Sequence, residues 1–166
     1  VPFIEGVQEN DVAACVKHLA ANSQETDRMA VDTIVDERTL QELYLKAFIA
    51  AVQKGNSYCL MGAYNKLNGE HCCTSKKLLN DIVREQWKYD GTIISDWGGV
   101  HDTVEAAESA LDIEMDIHYD FDHHYMAQPL KEKIENGEIS EELADKKVSN
   151  ILRLMKRLNM LGEDRG

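Results

Sequence analysis

The chain is 166 residues long, 43% hydrophobic and 29% charged, the balance of an ordinary globular protein with enough sequence for about one domain and its core. Its formal net charge of -12 excludes the basic face that a phosphate backbone demands, and suits a neutral or cationic small molecule better. No apolar run approaches the roughly 20 residues of a membrane span, and no basic segment followed by an apolar one opens the chain.

Residues Val1 to Asn10 hold Pro2 and Gly6 without periodicity and read as a loop. Val12 to Val16 is a small-residue, β-tolerant run, a first strand stopping at Lys17-His18. The polar stretch Ala20 to Val35 reads as a long loop, and long loops in compact domains are usually functional. Asp36 is placed to N-cap a helix whose apolar positions run from Leu40 to Val52 at helical spacing and which closes at Lys54-Gly55.

The pattern then repeats. Tyr58 to Tyr64 reads as a second strand, followed by the polar turn Asn65 to Gly69. Ser75 caps a helix with the stripe Leu78, Leu79, Ile82, Val83 and Trp87. Thr92-Ile93-Ile94 is a third, β-branched strand, and it ends abruptly in Ser95-Asp96-Trp97-Gly98-Gly99. Asp102 caps a short helix through Ala106, Ala107 and Ala110, and Leu111 to Met115 reads as a fourth strand. A polar loop leads to a helix centred on Leu130 and Ile134 that stops at Asn136-Gly137. Ser140 caps the last helix, with the stripe Leu143, Val148, Ile151, Leu152, Met155 and Leu158 and with charges that suit the macrodipole.

Strands alternating with helices predict an α/β fold with parallel pairing and right-handed crossovers. The strand ends at His18, Tyr64, Asp96 and Met115 are on average about 32 residues apart, close to the roughly 31 per unit of an eight-unit barrel. The expectation is parallel β/α units forming about half of a TIM-like (β/α)8 barrel over residues 1–166. Half a barrel has two unpaired sheet edges, so the chain is expected to be a fragment or to pair with a missing first half.

Chemistry in such sheets belongs to the carboxyl ends of the strands. There the reading gathers Lys17, His18, Met61, Tyr64, Asp96 and Trp97. A carboxylate, a cation, a titratable donor, a phenol, a thioether and an indole suit a sugar, whose apolar face stacks on aromatic rings while charged groups take its hydroxyls. Each also has a plain structural role open to it: Asp96 as a turn cap, Lys17 as its ion-pair partner, Tyr64 and Trp97 as half-buried aromatics.

Five segments are more specific: Val12 to Leu19, Asn22-Ser23-Gln24-Glu25, Val35 to Leu40, Met61-Gly62-Ala63-Tyr64-Asn65 and Ser95-Asp96-Trp97. In order and separation they resemble glycoside hydrolase family 3, nearest its β-glucosidase-like and β-xylosidase-like members. Leu19-Ala20-Ala21-Asn22 replaces the Gly- and His-rich continuation of the related β-N-acetylglucosaminidases. The resemblance implies that Asp96 is the catalytic nucleophile and that Lys17 and His18 hold sugar hydroxyls in the -1 subsite. It makes Met61 and Tyr64 lining residues, with Tyr64 orienting the nucleophile, and makes Trp97 the subsite wall.

A retaining glycosidase needs an ionised carboxylate to attack the anomeric carbon, and a neighbouring Lys⁺ is expected to keep it ionised. The implied activity is that of an exo-acting β-glycosidase acting on a β-glucoside or related oligosaccharide. Neither cofactor nor metal is implied, nor a nucleic-acid or membrane partner, and the setting favoured is periplasmic or extracellular. The family's acid/base glutamate comes from a later domain, and further subsite residues come from the first half of the barrel. The chain alone is therefore expected to be inactive.

Three other readings remain. Asp116, His118, Asp120, Asp122, His123 and His124 form a His/Asp-rich loop of suitable ligand types for a divalent metal, or a solvated loop. The fragment as a whole reads alternatively as a non-catalytic carbohydrate-binding or assembly piece. Gly98-Gly99 is weak evidence for a phosphate site. The cysteines, Cys15, Cys59, Cys72 and Cys73, lack zinc or C-x-x-C spacing and read as small buried thiols.

Overall fold

Three parallel strands form the centre of the fold: β1 (Cys15–Leu19), β3 (Cys59–Gly62) and β6 (Thr92–Ile94), in the order β1-β3-β6. The computed structural model describes residues 1–162. The register pairs Cys15 with Cys59 and Val16 with Leu60, then Cys59 with Thr92, Leu60 with Ile93 and Met61 with Ile94. Between Val16 and Leu19 it slips, and the Lys17–His18 and Leu19–Ala20 peptide bonds are cis. Sequential parallel neighbours joined by helical crossovers give the α/β fold expected, about half of a TIM-like barrel.

The first strand differs in its bounds from the expected Val12 to Val16. Val12 is 54% exposed, whereas Lys17 and His18 lie inside β1, because pairing with β3 starts at Cys15. Nor is the start of the chain a loop. Pro2–Gln8 is helix α1, with proline in its first turn where no N–H is needed, and Ile4 packs against Ala14 and Ala51.

The loop from Ala20 contains β2 (Asp32–Thr33), which pairs in parallel with β4 (Lys66–Leu67). The polar turn expected over Asn65 to Gly69 is instead β4, a two-residue turn and β5 (Glu70–His71). Asn68 and Gly69, at φ 51° and 95°, supply the positive φ that a tight hairpin turn needs.

Asp36 caps the next helix, accepting from the Thr39 N–H at 3.0 Å. That helix is broken into α2 (Glu37–Thr39), the wider π1 (Leu40–Tyr44) and α3 (Lys46–Gln53). Ser75 caps π2 (Lys76–Gln86), accepting from Leu78, and Leu78, Leu79, Ile82 and Val83 are buried against the sheet. In both π segments the last N–H reaches back five residues, Leu45 to Leu40 at 2.9 Å and Trp87 to Ile82 at 3.0 Å. Asp102 caps α4 (Thr103–Glu108), and α5 (Gln128–Glu135) and α6 (Glu141–Arg157) complete the chain. Among the described residues no helix is long and apolar enough to cross a membrane.

Leu111 to Met115 does not form the regular fourth strand expected. It touches β6 through one parallel bridge, Ile94 with Ile113, because the Ile93 N–H is taken at 2.8 Å by the Asp112 side chain. That carboxylate is buried, pairs with Arg84 Nη2 at 2.6 Å and accepts from Asn150 at 2.8 Å. Burial raises its pKa, with Arg84 and Asn150 pulling the other way.

Beside it Lys147, 5% exposed, donates to the carbonyls of Ala106, Ser109 and Leu111 at 3.0, 2.7 and 2.6 Å. The inward stripe of α6 therefore carries Lys147 and Asn150, and the expected stripe residues Val148 and Leu152 stand 51% and 47% exposed. A hydrophobicity pattern cannot find this face, because the polar residues on it are satisfied only by carbonyls and a carboxylate from other elements.

Removing Arg84 leaves the Asp112 charge buried without its counter-ion. Arg84→Ala is expected to cost about 3–5 kcal/mol in urea denaturation, whereas Lys77→Ala on the exposed face of π2 stays within about 1 kcal/mol. Burial also lowers the Lys147 ammonium to about 8 from 10.5, so between these values the unfolded chain binds more protons than the folded one. Stability relative to the Lys147→Met variant should accordingly rise from pH 8 towards 10.5, as measured by denaturation across that range.

Candidate active site

Asp96 leaves β6 at its carboxyl end and is 6% exposed. Its Oδ1 accepts from the Trp97 N–H at 2.9 Å, which fixes the carboxylate against its own backbone. Its Oδ2 lies 3.3 Å from Nε2 of His18, brought from β1 two strands away. Tyr64, just past β3, is buried beside the same carboxylate. Burial first, then the charge and hydrogen bond of Asp96, push the phenol's pKa above its ordinary value, so it remains a donor well past neutrality.

The turn after Asp96 is held by Gly99 N–H to Asp96 O at 3.0 Å and by Gly98 N–H to Met115 O at 2.9 Å, with Gly98 at φ 73°. These glycines thus shape the exit of the strand. Gly62 and Gly99 also close on one thiol: a Cβ at either would stand 2.8 Å from Cys73 Sγ. Cys73 is fully buried and donates to Ala63 O at 3.3 Å.

His18, Tyr64, Asp96 and the Trp97 backbone are therefore brought together. Trp97 keeps 48% of its surface exposed, and Met61 is partly buried on β3 beside Ile94. Lys17 is exposed and makes no ion pair among the described residues, so the group expected beside the carboxylate is replaced by the His18 imidazole. Sequence reading missed Arg28, whose guanidinium lies 4.7 Å from the Tyr64 ring centroid while Glu25 holds it at 2.8 Å. Its signal was its place in an unexplained charged loop.

The His/Asp-rich loop resolves into separate contacts. His118 pairs with Asp116 at 2.6 Å, His123 with Asp120 at 2.8 Å, and His124 reaches His118 O at 3.0 Å. Among the described residues no three His, Cys, Asp or Glu side chains gather as a metal ion would require.

The Glycosyl hydrolase family 3 N terminal domain matches residues 1–154. The chain belongs to glycosyl hydrolase family 3. Beta-glucosidase BoGH3A of Bacteroides ovatus is 43% identical over 96% of this family 3 chain and 23% of its own length. Thermostable beta-glucosidase B of Acetivibrio thermocellus is 43% identical over 92% of the chain and 20% of its own. Among solved structures, beta-glucosidase 3B of Thermotoga neapolitana superposes with a TM-score of 0.87 at 40% identity, covering 93% of this chain and 22% of that one. DesR, a beta-glucosidase of Streptomyces venezuelae, gives 0.89 at 32% identity, covering 98% and 22%. The family 3 segment thus spans about a fifth of the length of these relatives.

Because Gly62 faces the backbone as well as the sulfur of Cys73, an added methyl cannot be absorbed by a rotamer change. Gly62→Ala should lose about 1–3 kcal/mol of stability in thermal denaturation, and Cys73→Ala in the same background should recover part of that loss.

Proposed function

We propose that this chain is part of the barrel domain of a retaining, exo-acting β-glycosidase, β-glucosidase-like, that hydrolyses terminal β-linked sugars through a glycosyl-aspartate at Asp96. The observation that carries this reading is a carboxylate at a strand exit with one oxygen fixed by a backbone N–H and the other beside an imidazole. The relatives named beta-glucosidases, and the solved beta-glucosidase structures in complex with glucose from Thermotoga neapolitana and Streptomyces venezuelae, support the sugar class.

In the first step an Asp96 oxygen attacks the anomeric carbon, a C–O ester bond forms and the glycosidic C–O bond breaks. The departing oxygen takes a proton from a second carboxyl, which in a retaining enzyme stands about 5–5.5 Å from the first. We assign that acid to a part of the enzyme outside this chain, with the first half of the barrel completing the subsite, so the isolated chain is inactive. Water then cleaves the ester as the same acid acts as base.

Tyr64 orients the nucleophile and stabilises its charge before attack. Lys17 and His18 take sugar hydroxyls, Met61 lines the subsite, and Trp97 offers its exposed indole to the sugar ring. Arg28, stacked on Tyr64, holds the phenol from its other side.

A 2-fluoro glycoside given to the complete enzyme should leave a covalent sugar on the peptide containing Asp96, read by mass spectrometry. An adduct on any other carboxylate would overturn the assignment. Tyr64→Phe should lower kcat/KM about 10- to 100-fold, the value of one hydrogen bond to a charged group.

A further inference from the structure

Below the rim, two thiols face each other across the sheet. Cys15 opens β1 and Cys59 opens β3, and the parallel register sets them directly opposite. Neighbouring strands lie about 4.7–4.9 Å apart, within the roughly 4.4–6.8 Å between α-carbons that a disulfide spans. Residues directly opposite in a parallel ladder project to the same face, so both sulfurs lie on one side of the sheet. Both cysteines are free in the structure, Cys59 buried and Cys15 partly exposed.

The other two cysteines offer a contrast within the same chain. Cys72 and Cys73 are fully buried, each bonded to a carbonyl, Ala20 O at 3.4 Å and Ala63 O at 3.3 Å. Burial pushes their pKa values up to about 11 and about 12. Accessible thiolate is the reactive form, and neither residue supplies it.

We propose that Cys15 and Cys59 are a reversible dithiol, which hydrogen peroxide converts into a disulfide joining β1 to β3 beneath the sugar site. The Cys15 sulfur attacks one peroxide oxygen: an S–O bond forms, the O–O bond breaks, and the thiol proton leaves with the departing hydroxide as water. Cys59 sulfur then attacks Cys15 sulfur, forming the S–S bond and breaking S–O, and its proton leaves with the hydroxide as a second water. Two thiols are oxidised by two electrons and one peroxide is reduced to two waters.

The order of attack follows from the pair itself. The neighbouring Cys59 thiol, with Lys17 nearby, holds the Cys15 thiol below its ordinary value, while the Cys15 sulfur and burial push Cys59 up. Cys15 is also the more exposed of the two, so it meets the oxidant and Cys59 resolves it.

The position gives the link a consequence. Among the described residues β1 pairs only with β3, and its register slips immediately after Val16, where Lys17 and His18 follow. A covalent tie at Cys15 fixes β1 below that slip, two residues before Lys17, and on β3 two residues before Met61.

The complete enzyme, treated with hydrogen peroxide, alkylated in denaturant and digested with trypsin without reductant, should yield the peptide ending at Lys17 joined to Gly55–Lys66. Dithiothreitol should separate the two. In Cys59→Ser the link should vanish and dimedone should label Cys15, while in a Cys72→Ser, Cys73→Ser double variant the link should persist. Free, alkylated Cys15 and Cys59 after oxidation, or a link to the Leu67–Lys76 peptide instead, would overturn the proposal.

Discussion

The Asp112 carboxylate is where the sheet and two helices are joined. It accepts from the Ile93 N–H on β6, pairs with Arg84 on π2 and accepts from Asn150 on α6, while Lys147 on α6 gathers the carbonyls on either side of it. Taking these charges out of water is expensive, and the attraction offsets it only when the remaining lone pairs and protons are also satisfied. Here they are, through side-chain and backbone groups that no single element supplies. The strand so fixed is the one that delivers Asp96, three residues beyond Ile93.

At the other end of that strand the same economy of parts recurs. Parallel pairing sends β1, β3 and β6 in one direction, so their polar exits share a rim. His18, Tyr64 and Asp96 are far apart in sequence, yet one carboxylate engages both the imidazole and the phenol. The glycines behind Asp96 let the backbone turn sharply and leave room for the Cys73 sulfur, which fills the space beneath the turn. Packing and chemistry are thus set by the same few residues.

Some apolar surface is left uncovered among the described residues. Val148 and Leu152 on α6 and Phe3 on α1 are exposed in a chain that spans about a fifth of its relatives' length. Exposed apolar groups of this kind suit contact with further protein surface.

The sequence by itself determined the three strands of the central sheet and their order, four helix caps and the strand exit at Asp96, because those depend on local periodicity and on side chains bonding within three residues. Asp36, Ser75, Asp102 and Ser140 each cap where a short polar side chain precedes an apolar stripe. The family and the strand-end residues were legible in the same way, as short motifs in fixed order. Tertiary structure alone decided which nitrogen-bearing side chain stands beside Asp96, which face of α6 turns inward, and that Leu111 to Met115 yields its ladder to a carboxylate. Each of those outcomes turns on a hydrogen bond between groups tens of residues apart, and local pattern holds no record of such a partner.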